Sequence, residues 1–235
     1  MKIPILLFDI DDTLYNTRDG RKLTLKAIWI NIPVLQKISF QDFFHGYNQV
    51  VKNFYKDHEP SGFNTYARIE MFHNLCKKFN IILSIKEYKN MIDICWNTTH
   101  QNLKLFPNVK ETLIEIKKRN YTTCAVSAGD YYSKSQKLLT LDIEKYFDYC
   151  IPTEFVQRNK STGDIYRFIV NFFNKDPADF IMIGDVVKQD IKPANEVGTI
   201  TVQATTRGDQ PIGKEGLERP NYIIHDMSEL LNIVE

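Results

Sequence analysis

No stretch of the chain approaches the roughly 20 consecutive apolar residues that a membrane-spanning helix needs. The longest amino-terminal candidate, Ile3 to Phe8, is too short and lacks the small-residue cleavage site of a secretory signal. Cysteine is scarce. Cys76, Cys95, Cys124 and Cys150 lie far apart and make no Cys-x-x-Cys pair, so neither a zinc site nor a disulfide framework is suggested. Buried reduced thiols in a cytoplasmic protein are the expectation. The five histidines show no metal-ligand spacing. An excess of one charge is also missing. Thirty basic and 29 acidic residues leave +1, which argues against a polycationic nucleic-acid arm or an acidic tail. There is no internal repeat and no low-complexity tract. What remains is ordinary for a globular chain: 235 residues, 43% hydrophobic and 25% charged, enough for one large domain or a domain with a smaller companion.

The apolar run Ile3–Phe8 reads as a buried strand of the kind found inside parallel sheets. Helical periodicity follows. Phe40, Phe43, Phe44, Tyr47, Val50, Val51, Phe54 and Tyr55 recur in steps of three and four, with Ser39 placed to cap their helix. Ile69, Phe72, Leu75, Cys76 and Phe79 form a second stripe, and Tyr88, Met91, Ile92, Cys95 and Trp96 a third. Pro33 and a Pro60-Ser61-Gly62 turn break this region, which reads as a bundle of about four helices. From Phe106 onward strands and helices alternate. Helices are expected at Pro107–Lys118, Tyr131–Leu141, Thr162–Phe173, about Asp190–Val197 and Asp226–Ile233. Strands are expected at Tyr121–Val126, Tyr149–Ile151, Phe180–Ile183, Thr199–Gln203 and Tyr222–Ile224. Such alternation implies a parallel sheet with right-handed crossovers. The expected fold is therefore α/β: a Rossmann-like parallel core from residues 1–17 and 105–235, with a helical bundle, residues 18–104, inserted after the first strand.

Ligands of open parallel sheets collect at the carboxyl ends of the strands. Asp9, Asp11, Asp12 and Thr13 follow the first strand; Ser127, Ala128 and Gly129 follow the second. Gly184, Asp185 and Asp190 follow a later strand, and Lys160 precedes a helix. Carboxylates gathered at one sheet edge repel unless a cation compensates. An oxygen-only set without His or Cys suits a hard cation such as magnesium. Ser127, Lys160 and the backbone amides of Ala128 and Gly129 suit a phosphate.

The order Asp9-x-Asp11-x-Thr13, Ser127, Lys160, then Gly184-Asp185-x4-Asp190 resembles the four motifs of the haloacid dehalogenase superfamily, over nearly the whole chain. The helical insert resembles that family's cap domain. The resemblance implies a nucleophilic Asp9 that becomes an aspartyl phosphate, and Asp11 as general acid/base. It implies magnesium held by Asp9, the Asp11 carbonyl and Asp185, with Asp190 as an outer-shell partner. Lys160 would steady the nucleophile, and Ser127 would bond a phosphoryl oxygen. The sequence departs from the family pattern in places. Asp12 stands where Gly is frequent, and Ala128 replaces a frequent Asn. Lys160 lacks a following Pro, which leaves Lys134 and Lys188 as alternatives. Pro193 is compatible only with the first turn of its helix.

Some motifs are decoys. Gly208-x4-Gly213-Lys214 imitates a phosphate loop but puts Glu215 where Ser or Thr belongs. Arg207-Gly208-Asp209 reads as a polar loop. Residues 18–104 carry 13 basic and 7 acidic residues, so an anionic phosphate ester would be drawn to the insert, with Arg18, Arg21, Lys22 and Arg68 as candidates. The expected function is a magnesium-dependent phosphatase acting on a small phosphorylated metabolite, as a monomer or homodimer, with no nucleic-acid or membrane partner. A sugar phosphomutase and a haloacid dehalogenase of the same fold are the alternatives, and a non-catalytic binding module stands behind them.

Overall fold

The computed structural model describes residues 3–58 and 67–234. Strand β1 (Ile5–Phe8) is followed by helices α1 (Arg18–Asn31), α2 (Phe40–His58), α3 (Ala67–Lys78) and α4 (Ile85–Gln101). The chain then alternates: α5 (Val109–Lys118), β2 (Thr122–Ser127), α6 (Tyr131–Thr140), β3 (Tyr149–Pro152), α7 (Asp164–Phe173), β4 (Phe180–Gly184), α8 (Lys192–Val197), β5 (Ile200–Ala204) and β6 (Tyr222–Ile224). Contacts divide it into two compact units. Among the described residues, one takes in 3–16 and 104–234; the other takes in 17–58 and 67–103. The Pro60-Ser61-Gly62 turn lies outside the described residues.

The first unit is a six-stranded parallel sheet in the order β3-β2-β1-β4-β5-β6. β1 lies in the middle, and all four of its residues are buried, as an uninterrupted apolar run requires. The chain builds β2 and β3 on one side of β1, then crosses to build β4, β5 and β6 on the other. The strand order therefore reverses between β1 and β4, the switch point at which sheets of this kind bind their ligands beyond the carboxyl ends. Ile5, Leu7, Cys124, Val126, Ile165, Ile169, Phe180 and Met182 form a core on one face of this sheet. In the second unit, Leu25, Ile28, Phe43, Tyr47, Phe72, Leu75, Met91 and Cys95 pack into a separate core. Ser39 caps α2 by accepting the Asp42 N–H at 3.1 Å.

Several boundaries differ from expectation for local reasons. The helix expected from Pro107 begins at Val109, because Asn108 takes a left-handed conformation (φ 59°) that excludes the residues before it. The segment expected to close the chain as a helix at Asp226–Ile233 is a tighter 3-10 turn, Met227–Asn232, capped by Asp226. The helix expected around Asp190 splits into a π-turn at Val187–Ile191 and α8, with Pro193 in the first turn of α8. Ile69 is exposed, so only the rest of its stripe faces inward. Cys76, Cys95 and Cys124 are buried free thiols, while Cys150 is half-buried. Among the described residues no helix is long and apolar enough to cross a membrane.

Candidate active site

Asp9 is the first polar residue after the apolar run of β1. Its N–H donates to the Ile183 carbonyl at 2.8 Å, so the backbone stays on the sheet while the carboxylate leaves its edge. The next residues fold back at once. The Leu14 N–H reaches the Ile10 carbonyl, and the Asp12 N–H reaches the Tyr15 carbonyl, both at 3.0 Å, with Asp12 left-handed at φ 60°. That hairpin returns Thr13 to the edge. Its buried hydroxyl lies 2.9 Å from Asp9 Oδ2 and 3.3 Å from Asp185 Oδ1, so its one proton can go to either carboxylate.

Lys160 arrives from the loop between β3 and α7. Asn159 caps a 3-10 turn, Lys160–Thr162, which Gly163 ends in a left-handed conformation (φ 75°). This turn runs directly into α7. The Lys160 ammonium is 1% exposed, lies 2.8 Å from Asp9 Oδ1 and 3.2 Å from the Val126 carbonyl, and pairs closely with Asp190 Oδ1. Burial alone would lower its pKa, but Asp190 and Asp9 raise it well above the ordinary value. It is a fixed positive charge. Of the two alternative lysines, Lys134 sits on Asp11 and Lys188 is exposed.

Asp9, Asp185 and Asp190 each present a carboxylate oxygen, and these oxygens lie within 4.8 Å of one another. Burial, with Asp190 and Asp11 adding and Lys160 opposing, raises Asp9 to about 6. Burial, then Asp9, Asp190 and Asp12, raise Asp185 to about 8, against the pull of Arg207. Such a group is short of positive charge. A hard divalent cation on Asp9 and Asp185 would supply it, so this donor set fits one. Asp190 is committed elsewhere: its Oδ2 accepts the Val186 N–H at 2.9 Å, and its Oδ1 faces Lys160. Gly184 makes room for it, since a Cβ there would meet Asp190 Cβ at 2.5 Å.

Asp11 lies apart from this group. Its carboxylate accepts from Lys137 Nζ at 2.6 Å and closely from Lys134 Nζ and the Tyr15 hydroxyl. Burial would raise its pKa, but the two lysines of α6 override that and hold it well below the usual carboxylate range. The hairpin thus gives Asp9 and Asp11 separate cationic partners.

Ser127 is buried at the end of β2, and Ala128 beyond it is exposed. The Gly129 amide, expected to cradle phosphate, is instead taken by the Thr153 hydroxyl at 3.0 Å. Its φ of 120° turns it toward that neighbour. In the helical unit Arg18, Arg21 and Lys22 are exposed on α1. Arg68 lies over the Trp96 ring at 4.7 Å and reaches Cys95 Sγ at 3.4 Å, so its guanidinium is engaged within the bundle.

Sequence reasoning missed three contributors. Tyr15 and Lys137 are visible only once the hairpin and α6 meet at Asp11. Arg207, read as part of a polar loop, stands 3.0 Å from Asp12 and 3.7 Å from Asp185. Its signal was available, for it follows β5 at the same sheet edge as the carboxylates.

A family profile described as haloacid dehalogenase-like hydrolase matches residues 3–198. The chain is 25% identical to a glyceraldehyde 3-phosphate phosphatase of Pyrococcus furiosus, over all of this chain and 94% of that one. It is 24% identical to the pyrophosphatase PpaX of Bacillus mycoides, over all of this chain and 98% of the other. Among solved structures, the hydrolase YfnB of Bacillus subtilis, bound to magnesium, superposes with a TM-score of 0.80 at 16% identity, covering 100% of this chain and 99% of that one. A 2-haloacid dehalogenase of Pseudomonas syringae superposes at 0.72 with 17% identity, covering 99% and 98%. At these identities the superpositions speak for the fold alone.

Proposed function

The chain belongs to the haloacid dehalogenase-like hydrolase family, and on that premise we propose that it is a magnesium-dependent phosphatase of small phosphate monoesters. One observation carries the reading. Asp9 stands at the switch point of the sheet with its carboxylate held between Lys160 and Thr13, beside the buried Asp185 carboxylate, and the two together call for a cation. The relatives named for phosphatase and pyrophosphatase activity support the same class.

Asp9 would attack phosphorus and the ester oxygen would leave, giving an aspartyl phosphate that water then hydrolyses. Lys160 holds Asp9 Oδ1, which leaves Oδ2 to Thr13 and to the attack. Magnesium, held by Asp9 and Asp185 with the Asp11 carbonyl, would neutralise phosphoryl charge. Asp190 keeps Lys160 in place. Asp11 is the carboxylate placed for the proton transfers, but Lys134 and Lys137 hold it ionised and weakly basic, so it must part from them before it can take a proton from the hydrolytic water or carry one to the leaving alcohol. A dehalogenase has no use for the cation that the carboxylate group demands.

Phosphate release from p-nitrophenyl phosphate, glyceraldehyde 3-phosphate and pyrophosphate, with magnesium or with EDTA, tests the reading, alongside halide release from a 2-haloacid. Magnesium-dependent phosphate release without halide release is expected. Halide release indifferent to EDTA would replace the phosphatase with a dehalogenase. Conversion of a sugar phosphate to its isomer, without phosphate release, would replace it with a mutase.

The carboxylates also set a pH dependence. Asp9 and Asp185 are raised in the folded protein to about 6 and about 8, above an unfolded value of about 3.9. Their stabilising contribution is complete below that unfolded value and is lost as pH rises through about 6 and then about 8. Asp11 is shifted the other way, so its contribution changes only at more acid pH, outside that window. Magnesium binds the ionised carboxylates. The rise in Tm on adding magnesium is therefore expected to be larger near pH 8 than near pH 5. Thermal unfolding in EDTA and in magnesium at both values checks this, and equal shifts would contradict it.

A further inference from the structure

Asp12 stands where the family pattern often has glycine. It accepts the left-handed conformation that such a position demands, which Asp and Asn tolerate better than most residues. Its carboxylate has a definite partner: Arg207 Nη1 lies 3.0 Å from Asp12 Oδ2. The arginine is presented by the turn that follows β5. The Gly208 N–H closes that turn on the Thr205 carbonyl at 2.9 Å, and the Thr205 N–H and hydroxyl both reach the Ile224 carbonyl, at 2.8 and 3.1 Å. Arg207 Nε also pairs with Asp209 Oδ1 at 2.5 Å. The side chain is 13% exposed, so this is an anchored guanidinium and not a surface charge.

Its position relative to Asp185 is the telling feature. Arg207 Nη1 lies 3.7 Å from Asp185 Oδ2, within ion-pair range but beyond hydrogen-bond reach. Asp12 and Asp209 hold it there. Asp185 is held from the other sides without charge: Thr13 reaches its Oδ1, and Gln203 Nε2 reaches its backbone carbonyl at 3.4 Å. Arg207 thus offers Asp185 positive charge without a hydrogen bond to its Oδ2, the oxygen that Thr13 does not reach.

We infer that Arg207, tethered by Asp12 and Asp209, is a positioning residue of the cation site. It acts as a fixed counter-charge that steadies Asp185 before a cation arrives and weakens the cation's hold afterwards. A guanidinium and a divalent cation that share one carboxylate repel each other. In the partly buried setting of this edge that repulsion is only partly screened. The inference rests on the cation site of the proposed function, and on nothing about the substrate.

Calorimetric titration of magnesium into the whole protein, paired with Tm in EDTA, tests it. Arg207→Gln is expected to lower Tm in EDTA and yet to bind magnesium about tenfold more tightly. Arg207→Lys keeps the positive charge but loses the forked contact to Asp12 and Asp209, so its affinity should fall between those of the wild type and Arg207→Gln. Asp12→Asn keeps the backbone conformation but removes a tether and a negative charge, so it should bind magnesium several-fold more weakly. A merely structural role would not give affinity changes of opposite sign at the two ends of one ion pair. Unchanged or weaker binding by folded Arg207→Gln would overturn the inference while leaving the cation site standing, as would unchanged or tighter binding by Asp12→Asn. No magnesium binding by the wild type would overturn both.

Discussion

Asp9→Asn is expected to lower kcat by about 10⁴-fold or more, because an amide cannot form the acyl phosphate that the proposed reaction passes through. The loss should come without unfolding. Asn at this position can still accept the Thr13 hydroxyl, and Lys160 keeps Asp190 as its partner. Burial already disfavours the ionised form of Asp9, so above about pH 6 its removal relieves the folded state. In EDTA near pH 8 the variant should therefore unfold no lower than the wild type. Steady-state kinetics and thermal unfolding on the same preparation separate the two effects. Substantial turnover in a folded Asp9→Asn protein would remove Asp9 from the nucleophile's place.

Lys160→Met should have the opposite balance, with the larger damage to the fold. It swaps a fully buried ammonium for a side chain of similar length and leaves Asp9 and Asp190 facing each other without it. Breaking a buried pair by deleting one partner costs about 3–5 kcal/mol. The cost should be greater near pH 8 than near pH 5, since at the lower pH the stranded carboxylates can take up protons. Denaturant unfolding at the two pH values measures it. A penalty independent of pH would mean that packing, and not the carboxylates, is what Lys160 supplies. Adding magnesium should recover part of the stability of this variant, because the cation brings positive charge back to Asp9.

Much of this arrangement was legible in the order of the residues. β1 announces itself as a continuous apolar run, and such a run ending in Asp9-x-Asp11-x-Thr13 states where a sheet stops and polar chemistry starts. Gly184-Asp185 repeats that statement for β4. Because both strands end at the switch point of a parallel sheet, their carboxylates meet. Lys160 could be placed near them by its position after β3, although no local pattern marked it out. What stayed hidden depends on sequence-distant contact. Asp11 follows Asp9 by two residues, but its partners Lys134 and Lys137 are more than a hundred positions away, and only α6 brings them to it. The Gly129 amide is lost to Thr153 across the β2–β3 connection. Arg207 is hidden because its neighbours Gly208 and Asp209 give the segment the look of a solvated turn. The segment expected as a helix at Asp226–Ile233 differs for a related reason, while β6 falls where it is expected. A few apolar residues spaced like a helix, as at Met227 and Leu230, are equally well served by a 3-10 turn.

The most direct measurement of the central claim is reductive trapping of the working enzyme. Wild-type protein turning over p-nitrophenyl phosphate in magnesium would be quenched, treated with borohydride to convert any acyl phosphate to an alcohol, and mapped by peptide mass spectrometry. The account predicts that Asp9 alone is converted, in a substrate-dependent manner, and that Asp9→Asn shows no conversion. Phosphate release by the wild type with Asp9 unmodified, or conversion at a different carboxylate, would contradict it.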